Sequence, residues 1–333
     1  MILSKEKYIP GFDWFRIIGS ILVAAAHQGF FVLYYEQFPR AYRVLSTGVP
    51  VFFIMSGYLS GREYSVERLI RQILRYGIPY LVIEFTMEVV HFSKLYFETG
   101  EAHYLGFLAN LARCFVLDNN ELGFTGPLWF ILALVYALLL NALVAPKYRK
   151  ILIVSLLTLC TIVTFIGEET VLAGAAHVLE LFPLLGRVFH AEELPRILNR
   201  FLTGALFTTI GFDIASWKLK PICYFIIGVL FGIFEISVCY LNLAVVFLSI
   251  ALFFGIRALP GQVLRPFHMD ISLFSVLMFF LHILEGQMIY QYCTENAQLC
   301  FLLILAINLL LAVLITSIIR IRQSRTPKTV RAV

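Results

Sequence analysis

Charged residues are scarce in this chain. Asp, Glu, Lys and Arg make up only 14% of its 333 residues, against about 25% in ordinary soluble domains. Intrinsic disorder needs a polar, charged composition, so it is excluded. The six cysteines include no CxxC pair and most fall in apolar segments, which argues for packing residues over a disulfide scaffold or zinc ribbon. No P-loop, GxGxxG or HExxH run occurs. Ser56, in Phe-Phe-Ile-Met-Ser-Gly-Tyr, lacks the flanking glycines of a GxSxG elbow. A serine nucleophile, a Walker-type nucleotide site and a zincin are therefore all disfavoured, and no metal site is expected.

What fills the chain instead is apolar. Hydrophobic residues reach 60% and mean hydropathy is +0.86, more apolar surface than a water-soluble monomer tolerates. Apolar stretches near the length of a bilayer core recur over 12–34, 44–60, 76–97, 125–145, 150–166, 199–216, 221–240, 243–257, 270–292 and 300–319. The expectation is an all-α, polytopic membrane helical bundle of about ten transmembrane helices, multi-pass in the inner (plasma) membrane. An eleventh apolar stretch, 171–186, is interrupted by His177, Glu180 and Pro183 and reads as interfacial or re-entrant. With it left out of the count, both termini fall in the cytoplasm, together with the short Lys- and Arg-rich loops. The net charge of +5 thus records orientation, and no nucleic-acid surface is expected. Residues 1–320 read as one transmembrane domain and 321–333 as a short basic cytosolic tail.

Ionisable groups inside a membrane helix are costly, so each is a functional candidate. Arg16 and His27 are eleven residues apart, which returns almost to the same azimuth about 16 Å further along a helix. Asp13 precedes Arg16 by three and can pair with it. The arginine could meet an anionic group from the cytosol and the histidine could move a proton. A snorkelling arginine and a packing histidine fit the spacing as well. Glu84, Glu88 and His91 stand at i, i+4 and i+7 and share a second polar face. That stripe suits either an acid–base pair or a structural hydrogen-bond network. Arg68, Arg71 and Arg75, at i, i+3 and i+7, form a basic row that suits phosphates or lipid headgroups.

Taken together, these residues resemble the acyltransferase-3 family of bacterial integral membrane acyltransferases. The matching pieces are Phe12-Asp13-Trp14-Phe15-Arg16 with its gap to His27, Val51 to Leu59, and Arg71-Gln-Ile-Leu-Arg75 before Ile78-Pro79-Tyr80. Leu128-Trp129-Phe130 and Ser272…Phe280-Leu281-His282 follow in family order. The departures are Gln72, Phe280 and the lack of a glycine after Arg16. The resemblance implies transfer of an acyl group, usually acetyl, from acetyl-CoA (acyl-CoA) to a hydroxyl of a cell-surface glycan or lipid-linked sugar. It carries a catalytic role to His27 and a donor-binding or catalytic role to Arg16, and places Arg75 more loosely in donor binding. On this reading Arg68, Arg71 and Arg75 grip the donor's phosphates, Glu84 or Glu88 orients the catalytic base, and His91 lies beside them. Acetyl-CoA enters as a substrate, no cofactor is held permanently, and the partners are the acyl-CoA donor, the acceptor and membrane lipids. The alternative is a transport module for a small molecule such as an amino acid, like the serine-uptake domains fused to racemases.

Overall fold

Small residues decide how the helices of this chain meet. The computed structural model describes residues 9–27, 36–61, 65–101, 104–117, 129–182, 191–239, 241–259, 275, 278 and 297–325, and among these it is helical with no strand. The α-helices are α1 (Pro10–His27), α2 (Pro39–Leu45), α3 (Gly48–Gly61), α4 (Val66–Thr99), α5 (Tyr104–Leu117) and α6 (Trp129–Leu143). They continue as α7 (Arg149–Ile166), α8 (Glu168–Leu181), α9 (Leu194–Asp213), α10 (Pro221–Ser237), α11 (Leu243–Ala258) and α12 (Ala297–Arg325). Contacts divide the chain into two units, one of Met1–Gln37 with Phe254–Val333 and one of Phe38–Phe253.

The second unit is organised around α9, which packs on α3, α6, α7 and α8. Gly57 and Gly61 on α3 face Thr208 and Phe212 of α9, and Gly211 of α9 faces Ile54 and Gly57. This Gly57-x-x-x-Gly61 spacing lets two backbones approach where side chains would hold them apart. Gly204 does the same for α6, seating α9 against Ala133. A buried hydrogen bond donated by Asn141 Nδ2 to Thr209 Oγ1 (2.9 Å) ties α6 to α9. Two segments singled out in the sequence meet here: Phe53 of α3 packs on Trp129 and Phe130 of α6, with ring centroids 6.0 and 4.5 Å apart. Further along, Phe231 of α10 stacks on Phe247 of α11. The fully buried Glu235 accepts hydrogen bonds from the Leu243 and Ala244 amides, at 2.7 and 3.0 Å, and so caps α11.

In the first unit α1 packs on α12 through Ala24, Ala25 and Ala312, with Met278 beside them. Gly11 lies directly under the Ile256 carbonyl. Ser20, Asn308 and Thr316 are buried polar residues of the same two helices.

The outward faces of several helices are apolar. On α7 they carry Ile151, Val154, Ile162 and Phe165, and on α10 Phe225, Ile226, Leu230 and Ile233. A soluble fold hides such residues. By length and composition Pro39–Gly61 and Pro146–Ile166 can cross a bilayer, and Trp129–Leu143, Pro221–Ser237, Leu243–Ala258 and Leu302–Ile318 are shorter apolar helices.

Three boundaries differ from the sequence expectation. The segment expected to begin at 76 is part of a 34-residue helix that starts at Val66 and runs through Pro79, a proline that removes one backbone hydrogen bond from the helix. The long connection after residue 97 holds α5, an apolar helix packed on α4. The interrupted stretch 171–186 begins its helix at Glu168 and ends it at Leu181, just before Pro183. The expected span over 270–292 lies outside the described residues except for Ser275 and Met278, as does the tail beyond Arg325.

Candidate active site

The long helix α4 has two chemically opposite faces. Tyr80, Glu84 and Glu88 recur every four residues, and all three are buried, each 1% exposed. Arg71 and Arg75 lie nine residues before Tyr80 and Glu84, and nine steps of about 100° amount to half a turn. The arginines are accordingly exposed on the far side. Arg71 reaches Glu67 at 3.7 Å, a solvent-exposed pair that contributes little to stability. The side chain of Arg68 lies outside the described residues. The basic row and the carboxyl pair, joined in a single site by the sequence reading, therefore occupy different sides of one helix.

The carboxyl pair faces α5. Cys114, fully buried, directs its S–H to Glu88 Oε1 at 3.4 Å, and Glu84 also hydrogen-bonds this thiol. The Tyr80 hydroxyl donates to the Cys114 carbonyl at 2.5 Å. Asn110 and Arg113, on the same helix as Cys114, are buried as well. Taking a carboxylate out of water costs several kcal/mol unless partners replace the hydration, so this cluster has a chemical or a structural use that offsets its cost. Cys114, Asn110 and Arg113 were not singled out in the sequence, and Tyr80 entered there only as part of the Ile78-Pro79-Tyr80 piece of the family resemblance. The only available signal was the spacing of Tyr80 from Glu84, because α5 falls where a loop was expected. His91, three residues beyond Glu88, is half-buried. Among the described residues no group of His, Cys, Asp and Glu is arranged to hold a metal ion.

Arg16 and His27 belong to the other unit. Arg16 Nη1 pairs with Asp13 Oδ1 at 3.0 Å, as the spacing predicts, and its side chain is 35% exposed. The flanking Phe12 and Phe15 are buried, so the guanidinium stands at the edge of the helix's packed face. His27 is the last residue of α1, and its side chain lies outside the described residues, as does Ser272…His282 apart from Ser275 and Met278. Arg16 and His27 thus sit on one helix, while Arg71, Arg75, Glu84, Glu88 and His91 sit on another.

Chemically, α1 offers a charge-fixed guanidinium, and α4 with α5 offers titratable groups in direct contact. No curated protein and no solved structure matches the chain. A family model described as an acyltransferase domain matches residues 9–323, nearly the whole chain. That span takes in both α1 and the α4–α5 cluster, and the chain belongs to the acyltransferase-3 family.

Proposed function

We propose that the protein is a multi-pass inner-membrane O-acetyltransferase that moves an acetyl group from cytosolic acetyl-CoA to a hydroxyl of a cell-surface glycan or lipid-linked sugar. The observation that carries this reading is the family match over residues 9–323, with the Phe12-to-Arg16 segment and His27 inside it. The apolar outward faces of α7 and α10 support a bilayer setting. The grouping of Lys and Arg in short loops supports ten spans with both termini in the cytosol.

In this reading Arg16, Arg71 and Arg75 meet the anionic groups of the donor, because guanidinium forks form strong, paired bonds to phosphate. Arg68 lies in the same basic row. His27 is the general base. A hydroxyl keeps its proton at neutral pH, so attack on a thioester needs a group that can take that proton, and imidazole is best matched to do so. The test is mass spectrometry of surface polysaccharide and lipid-linked sugars from cells with and without the protein. The reading expects an increment of one acetyl group per modified residue that disappears with the protein. Identical glycans in both strains, under conditions where the protein is made, would contradict it.

A further inference from the structure

We propose that the edge of the molecule where α7 and α10 begin binds an anionic phospholipid, its phosphate held by Lys147, Lys150, Lys218 and Lys220 and its acyl chains lying on the apolar outward faces of the two helices. The inference rests on the bilayer setting and is independent of the acetyl-transfer chemistry.

The two helix starts are distant in sequence and meet at one end of α9. Arg149, the first residue of α7, is buried, with its guanidinium 4.7 Å from the ring of Phe212 near the C-terminus of α9. Helix α9 ends at Asp213 and α10 begins at Pro221. In the connection Trp217 Nε1 donates to Asp213 Oδ2 at 2.8 Å, and its ring lies 5.8 Å from that of Tyr224 in the first turn of α10. Stretches 143–150 and 211–224 therefore converge. Their basic residues are the four lysines and Arg149, and their single acidic residue is Asp213, which is committed to Trp217. All four lysines are exposed, and among the described residues none of them is in an ion pair.

Two of these lysines stand where their own helix disfavours them. Lys150 lies in the first turn of α7 and Lys220 is the N-cap of α10. The N-terminal end of a helix carries partial positive charge and favours anions over cations. An anion from outside the chain offsets both that cost and the mutual repulsion of the lysines.

The surface beside the lysines decides which anion. Ile151 and Val154 follow Lys150 on α7, and Ile222, Phe225 and Ile226 follow Lys220 on α10, all of them 51–63% exposed. A free phosphate leaves these side chains bare, whereas a phospholipid covers the charged and the apolar surface together. Half-buried Trp217 and exposed Tyr148 stand at the boundary, where rings with one polar edge meet lipid headgroups. Lys147 Nζ lies 4.8 Å over the Tyr148 ring, which keeps the ammonium at that level.

A role in orientation alone acts during insertion and asks nothing of the lipids around the folded protein. The experiment therefore uses the purified full chain reconstituted in vesicles of phosphatidylcholine with phosphatidylglycerol, either lipid carrying bromine on its acyl chains. Bromine quenches a tryptophan that it touches, and the difference between the wild type and Trp217→Phe isolates Trp217 from Trp14 and Trp129. Phosphatidylglycerol is expected to compete for the Trp217 site about fivefold or more better than phosphatidylcholine, the attraction of at least one lysine near a charged headgroup. The preference should weaken with salt. Changing Lys147, Lys150, Lys218 and Lys220 together to Gln should abolish it, and changing the same four to Arg should keep it. Equal quenching of the wild type by the two lipids overturns the site and leaves the bilayer setting in place, and quenching by neither removes both. Relief of the quenching by millimolar acetyl-CoA or inorganic phosphate also overturns it, because the lysines then serve a soluble phosphate.

Discussion

Gly57 of α3 lies flat against Thr208 of α9, where a Cβ on the glycine would stand 2.1 Å from the Thr208 carbonyl oxygen. The reverse contact repeats the arrangement, because a Cβ on Gly211 would stand 2.2 Å from the Ile54 carbonyl oxygen. Two helix backbones cannot both move aside for a methyl group. Gly57→Ala should therefore cost at least the roughly 1–3 kcal/mol of an overpacked core. Gly77, on α4, is the control: nothing lies within 4 Å of its added Cβ. Alanine there should stabilise the helix by about 0.5–1 kcal/mol. Thermal unfolding of the two variants in detergent checks the contrast, and equal Tm shifts of the same sign would contradict the packing described.

A second prediction concerns the cap of α11. Glu235 Oε1 accepts from two successive backbone amides, those of Leu243 and Ala244. Glu235→Ala removes the acceptor and should lower stability by about 0.5–2 kcal/mol. Glu235→Gln keeps an amide oxygen in the same place and should lose much less. Hydrogen exchange of the first turn of α11 reads this directly: faster exchange is expected in the alanine variant and near-native protection in the glutamine variant.

Much of α4 was legible in the sequence. The i, i+4 spacing of Glu84 and Glu88 predicts a shared face, and both carboxyls are buried on one side of the helix. The azimuth of a residue on its own helix is local information, set by the chain geometry alone. Which helix stands opposite is not. Cys114 could not be matched to Glu88 from a sequence separation of 26 residues, and α5 itself was hidden in a stretch that reads as a long connection. Gly57 was visible as part of a segment resembling the family. Its work, admitting the α9 backbone, depends on Gly211 more than 150 positions later. The Asp13–Arg16 pair needed only three residues of spacing and was foreseen.

The arginine row gives a third prediction. Arg71 and Arg75 are exposed and half a turn from the buried carboxyls, so neutralising both should leave Tm nearly unchanged. If they bind the donor's phosphates, the double substitution to Gln weakens acetyl-CoA binding and makes what remains less sensitive to salt. Titration calorimetry at two ionic strengths checks this. Unchanged affinity together with poorer membrane insertion would make the row a topology anchor only.

His27→Gln in the purified protein is the most direct test of the account as a whole. Glutamine keeps a hydrogen-bonding group but cannot take a proton at neutral pH. Loss of a general base lowers rates by about 10²–10⁴, whereas loss of a packing histidine mainly lowers stability. The measurement is acetyl transfer from acetyl-CoA to a hydroxyl acceptor, made alongside Tm and donor affinity on the same preparation. The account predicts transfer reduced at least about 10²-fold in a protein that melts like the wild type and still binds acetyl-CoA. Substantial turnover by a well-folded His27→Gln protein would contradict it and remove His27 from the mechanism.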